Sequence, residues 1–127
     1  NLKSDLARRV ERAAKRMRVD YESIGVRTQK TRWASCSGRK HLSFNLALAA
    51  LPDPLRDYVV VHELAHLIHP DHSPLFWQTV ETYCPDLRQA DRDLRKYWIV
   101  LQRNRCWRVI REMGEWENRS RRPSGGS

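Results

Sequence analysis

The chain has 127 residues, 40% of them apolar, and a formal net charge of +9. That is one domain's worth of chain with a single modest core, and the apolar share excludes a disordered polyelectrolyte. No apolar run approaches the roughly 20 residues that span a bilayer, and the charged start "NLKSDLARRVERAAKRM" lacks a signal-peptide core, so no membrane partner and a cytoplasmic setting are expected.

Leu2, Leu6, Val10, Ala13 and Met17 recur at helical spacing, with basic residues on the other faces, so residues 2–18 read as a helix. Ile24, Val26 and Thr28 alternate as in a strand, and a second strand is expected over Arg32–Cys36. After the "GRK" turn, "HLSFNLAL" alternates again, with Leu42, Phe44, Leu46 and Leu48 on one side. These segments predict a short, mostly antiparallel sheet. Asp53 is a suitable N-cap and Pro54 suits the first helical position. The helix they start should run to about His69, because Pro70 disfavours helical geometry in the residue before it. Ser73-Pro74 repeats the start signal for a helix through "SPLFWQTVETY", with Phe76, Val80 and Tyr83 inward. A long helix follows Pro85-Asp86, with Ala90, Leu94, Trp98 and Leu101 on one face. That stripe slips near Asn104-Arg105, and "NRSRRPSGGS" reads as a disordered tail. The fold class is α+β: the short sheet packed on the helix that starts at Asp53, with further C-terminal helices.

The stretch "VVVHELAHLIHPDH" holds four of the five histidines. His62 and His66 are four residues apart, so they share one helix face and can converge on one zinc ion. Glu63 projects about 100° further round, outside the ligand set but within reach of a metal-bound water. This is the H-E-x-x-H pattern, in which the carboxylate serves as general base while zinc acidifies the water. The surrounding residues are apolar, and ionisable groups in a buried helix need partners. Three residues compete to be the third ligand. His69 shares the face of the pair, but seven residues of helix rise about 10.5 Å, too far for one ion. Glu81 lies on the following helix. His72 lies beyond the break at Pro70, where the chain can turn back to the open side of the metal, and it is the favoured candidate.

The stretches "TRWASCS" and "YVVVHELAHLIHPDHSPLFW" resemble the YgjP-like group of small zinc metallopeptidases, which is similar in motif to the WLM and SprT-like proteases of DNA–protein crosslink repair. The resemblance covers roughly residues 20–98. It implies a zincin-like fold, with His62, His66 and His72 as zinc ligands and Glu63 as base. The chain departs from metzincins, which share the H-E-x-x-H-x5-H spacing. His69 stands at their glycine position, and no methionine follows before Met113.

Arg32, Trp33 and Ser35 match the group's "RWxSCS" stretch and are candidate substrate contacts, on a strand able to pair with an extended peptide. The alternative is that Trp33 and Cys36 simply pack in the core. Cys36 is also a candidate ligand or inhibitory thiolate. Asn45 is expected to finish a strand, and Phe76 and Trp77 to pack behind the His72 turn. Asp57, Asp71 and Asp86 could orient an imidazole. Tyr83, Tyr97, His41 or an arginine could stabilise an oxyanion.

Cys36, Cys84 and Cys106 are widely spaced and odd in number, which suits a reducing compartment better than a disulfide framework. Charge is uneven: residues 1–32 carry ten Lys/Arg against four Asp/Glu, residues 33–98 seven against eight, and residues 99–127 seven against three. The resemblance implies a metallopeptidase domain over 1–98; the charge counts make it open on a basic helix at 1–19 and end in a basic extension over 99–127. The leading function is a zinc metallopeptidase acting on peptide or protein. One alternative is a metal-dependent nucleotide or phosphoanhydride hydrolase. Another is a nucleic-acid-associated protease acting on DNA-bound proteins, whose first helix and segment Arg103–Arg122, with Trp107 and Trp116, would touch the polyanion. The chain opens on Asn1, as a processed chain or a piece of a longer one would.

Overall fold

A computed structural model of the protein describes residues 1–104 and 106–113. Helix α1, Leu2–Met17, buries Leu6, Val10, Ala14 and Met17 along one face. The Asn1 side chain accepts from the Ser4 N–H at 2.9 Å, and Arg18 ends the helix in the left-handed conformation at φ 56°. Strands β1 (Ser23–Arg27), β2 (Ala34–Cys36) and β3 (His41–Asn45) form one sheet in the order β1-β3-β2.

The sheet is mixed rather than mostly antiparallel: β1 pairs parallel to β3, and the β2–β3 hairpin is the antiparallel part. The cause is the link between β1 and β2, which carries the chain past the end of β3 to its far side. The fully buried Asn45 pins that link, donating to the carbonyls of Gln29 at 3.1 Å and Arg32 at 2.7 Å. Gln29 returns a bond to the Ser43 carbonyl at 3.2 Å. Asn45 also ends the strand. Its Oδ1 accepts from the Ala47 N–H at 3.0 Å, and Leu46–Ala50 form a short 3-10 helix. Leu46 and Leu48 therefore do not extend the strand as their alternation suggests. Leu48 is buried, while Leu46 is exposed.

Helix α2, Asp53–Ala65, runs through the centre, touching α1, β2, α3 (Pro74–Tyr83) and α4 (Leu87–Gln102). Pro52, not Asp53, holds the cap position, and no side chain caps the helix. The Asp53 carboxylate is instead bound by Arg9 of α1. Ser73 caps α3 as expected, accepting from the Phe76 N–H. Helix α4 runs unbroken across residue 98 to Gln102, and residues 106–113 are helical again. Asn104 starts that segment by accepting from the Trp107 N–H at 2.9 Å. Trp107 is buried, so it cannot stack on a nucleic acid as the sequence suggested. Trp116 and the tail lie outside the described residues, among which no helix is long and apolar enough to cross a membrane.

Arg9 clips α1 to the start of α2. Its guanidinium, with a side chain 13% exposed, reaches Asp5 at 2.8 Å, Asp53 at 2.7 Å and Asp57 at 2.7 Å. Asp5 also receives Arg56 at 3.0 Å. Asp53 and Asp57 are well exposed and contribute little, so the Asp5 bond dominates. Arg9→Met is expected to destabilise the fold by about 1–3 kcal/mol, read from urea unfolding. The Arg9 hydrogen bond, opposed by burial and helped by Arg56, holds the Asp5 carboxyl below its ordinary 3.8. A carboxyl whose folded pKa is depressed stabilises fully above its unfolded value. The Arg9 contribution should therefore be complete at neutral pH and fade as pH falls from near 3.8 through the lower folded value.

Candidate metal centre

The site forms where α2 ends. From His66 onward the backbone tightens into bonds three residues back: His66 N–H to the Glu63 carbonyl, Leu67 to Leu64 and Ile68 to Ala65. The α-helix thus stops at Ala65, short of the expected His69, and the His69 N–H closes the turn on the Ala65 carbonyl at 2.9 Å. Pro70 then carries the chain away, and His72 returns immediately before α3. The ring centroids of His62 and His66 are 5.1 Å apart, those of His66 and His72 4.7 Å, and those of His62 and His72 5.5 Å.

One nitrogen from each of these imidazoles lies within 4.8 Å of the others. Two donors bound to one ion at about 2.1 Å can be at most about 4.2 Å apart. Small side-chain rotations therefore close the triad on a single ion, and the three residues fit a metal. His69 is half-buried outside the group, and Glu81 lines a separate groove between α3 and α4.

The imidazoles rest on α3. Phe76, fully buried, stacks on His66 at 4.5 Å and meets His72 and His62 edge-on at 4.9 Å and 5.2 Å. Trp77 stacks on His72 at 5.6 Å. The start signal at Ser73-Pro74 therefore matters to the site, because it points these two rings at the triad. Glu63 is 6% exposed, and its Oε1 lies 3.3 Å from His62 Nδ1. Burial, with the neighbouring charges of His62 and His72, pushes His66 below the ordinary histidine range against the pull of Glu63. The neutral imidazole so favoured is the form that binds metal.

Residues 1–97 match the family model described as "YgjP-like, metallopeptidase domain". The chain belongs to the YgjP-like metallopeptidase family. It is a metal-dependent peptidase of α+β fold. Among solved structures, this YgjP-like chain is similar to the metallopeptidase zymogen abylysin of Pyrococcus abyssi, at 27% identity and TM-score 0.66, over 78% of this chain and 97% of that one. It shares its fold with the zymogen jannalysin of Methanocaldococcus jannaschii, at 20% identity and TM-score 0.60, over 72% and 95% of the two chains. No curated protein matches the sequence.

The remaining candidates of the YgjP-like chain divide by position. Arg32, Ser35 and Cys36 line the cleft that holds the three imidazoles and Glu63. Trp33 faces a second cavity on the other side of Glu63. Burial and then the Glu63 charge push the Cys36 thiol up, and Cys36 stands outside the triad. Asp57 is engaged by Arg9, and no hydrogen bond joins Asp57, Asp71 or Asp86 to an imidazole. The carboxylate that touches one is Glu63 itself. Tyr83 packs on Arg16 of α1, His41 bonds Ser23 at 2.6 Å, and Tyr97 lines neither cavity. Of the oxyanion candidates, the cleft keeps an arginine, Arg32. The α4 residues Leu94 and Trp98 share one face as the sequence predicts; Leu94 joins the core, and both also wall the second cavity. Helical spacing marks the packed face and is silent about what that face encloses.

Proposed function

We propose that this chain is a zinc endopeptidase in which His62, His66 and His72 hold the ion and Glu63 is the general base. One observation carries the reading: three imidazole nitrogens within 4.8 Å of one another, beside a buried carboxylate. Three protein ligands with a fourth position left for water or substrate is the pattern of catalytic zinc, whereas structural zinc is fully enclosed by protein. When bound, zinc supplies a Lewis acid that acidifies water and polarises the scissile carbonyl.

Glu63 takes the proton of the attacking water on a carboxylate oxygen and hands it to the leaving amine. Its contact with His62 Nδ1 fixes that carboxylate and the ring together. Arg32 and Ser35 line the same cleft, and in this reading they donate hydrogen bonds to the substrate. β2 is an edge strand that pairs only with β3 among the described residues, so an extended peptide can add to it and present its carbonyl to the triad. The free thiols suit a reducing compartment.

Metal removal tests the reading. Purified protein should contain about one zinc per chain and cleave casein. 1,10-Phenanthroline should abolish cleavage, and added zinc should restore it. Cleavage indifferent to the chelator overturns the proposal, as does hydrolysis of nucleoside triphosphates in place of casein.

A further inference from the structure

We infer that the second cavity is the specificity pocket of the enzyme, and that it takes one large apolar side chain, aromatic or branched aliphatic, from a substrate residue beside the cleaved bond. The inference rests on the peptidase reading and adds the class of substrate.

The cavity holds about 490 Å³ between the start of β2, the middle of α2 and the face of α4. Its position supports this role. His62, Glu63 and Ala34 wall both this cavity and the cleft that contains the three imidazoles. A peptide whose carbonyl sits at the triad therefore has a neighbouring side chain within reach of the cavity.

The lining decides what that side chain is. Trp33, Tyr58, Val59, Leu94, Trp98 and Ile99 make the walls apolar. Trp33 and Trp98 meet edge to face at 5.0 Å and 74°, bracing β2 against α4. Of the charged groups here, Asp91 and Arg95 pair with each other at 2.9 Å, and Glu63 stands at the boundary with the cleft in contact with His62. The cleft on the other side of Glu63 is different in kind, with Arg32, Ser35, Ser37 and Lys40 along it. A substrate crossing the centre thus meets an apolar pocket on one side and a polar, basic groove on the other. Burying a large apolar side chain in place of Ala is worth about ten- to a hundredfold in kcat/KM.

Cut sites in a random peptide mixture, mapped by mass spectrometry, should concentrate Phe, Trp, Leu or Ile at one position within two residues of the bond. Matched peptides with Phe, Ala or Asp at that position should then differ about ten- to a hundredfold for Phe over Ala. Ile99→Trp fills the exposed mouth of the cavity and should bring that ratio close to one, both peptides being measured on one preparation. Trp98→Ala enlarges the cavity and should lower it. Binding of the same peptides to zinc-loaded Glu63→Gln, by calorimetry, separates the two readings. Cleavage without preference, or a preference untouched by Ile99→Trp, overturns the pocket and leaves the peptidase standing. Binding that favours Phe without any cleavage by the wild type keeps the pocket and overturns the peptidase. Neither binding nor cleavage overturns both.

Discussion

Replacing Glu63 by glutamine is expected to leave fold and zinc content intact and to lower turnover by about 10²–10⁴-fold, the usual share of a general base. The substitution keeps volume at a position that is 6% exposed, so it opens no void. It also keeps an oxygen that can accept from His62 Nδ1, now 3.3 Å from the Glu63 carboxylate. The imidazole should therefore stay in place, and with it the ligand triad. What glutamine lacks is a basic oxygen able to take a proton. Loss of rate without loss of metal is then the signature of a proton acceptor, whereas a merely structural glutamate would lose both or neither. Metal analysis, circular dichroism and kcat on one preparation decide it, and turnover at the wild-type rate would sink the mechanism. Glu63→Ala is the less informative variant, because it also removes the contact that steadies His62.

The residues of this centre were legible from the sequence to the extent that they lie close along the chain. His62, Glu63 and His66 follow from helical spacing alone, and the Pro70 break makes the return of His72 conceivable. Ser73 and Pro74 mark the start of α3 because capping is a local interaction. The parts that escaped depend on distant partners. The alternation of Leu46 and Leu48 suits a strand as well as a 3-10 turn, and the Asn45 side chain decides between them by bonding Gln29, Arg32 and Ala47. Parallel pairing of β1 with β3 is set by where the intervening link crosses, a tertiary choice with no period in the sequence. Asp53 looked like a cap because its residue type favours that role, but Arg9, far away in the chain, takes its carboxylate. Trp33 and Trp98 stand 65 positions apart and meet only in the folded protein, so the cavity they wall has no sequence signature.

His72→Ala should cost the protein its zinc, while His69→Ala and Glu81→Ala should keep it. The contrast is sharp because all three residues compete for the third position along the sequence, and only His72 joins the group in the fold. His72 has a nitrogen within 4.8 Å of those of His62 and His66, and His69 and Glu81 are outside that group. Removing one of the three proposed ligands leaves two imidazoles, a set that coordinates zinc incompletely. A drop in zinc affinity of at least a hundredfold is expected, which exceeds the effect of losing an orienting partner. The fold should survive, because His72 is exposed and the core beneath it is carried by Phe76 and Val80. Binding of zinc to the apo-protein, followed by competition with a chromogenic chelator, measures the affinity directly and requires no substrate. Retention of zinc by His72→Ala with its loss in Glu81→Ala would move the third ligand to α3. Tight zinc in all three variants would place the ion elsewhere. Loss of zinc in His72→Ala alone would tie the metal to the one histidine that the tightened end of α2 and the Pro70 break bring back to the helix.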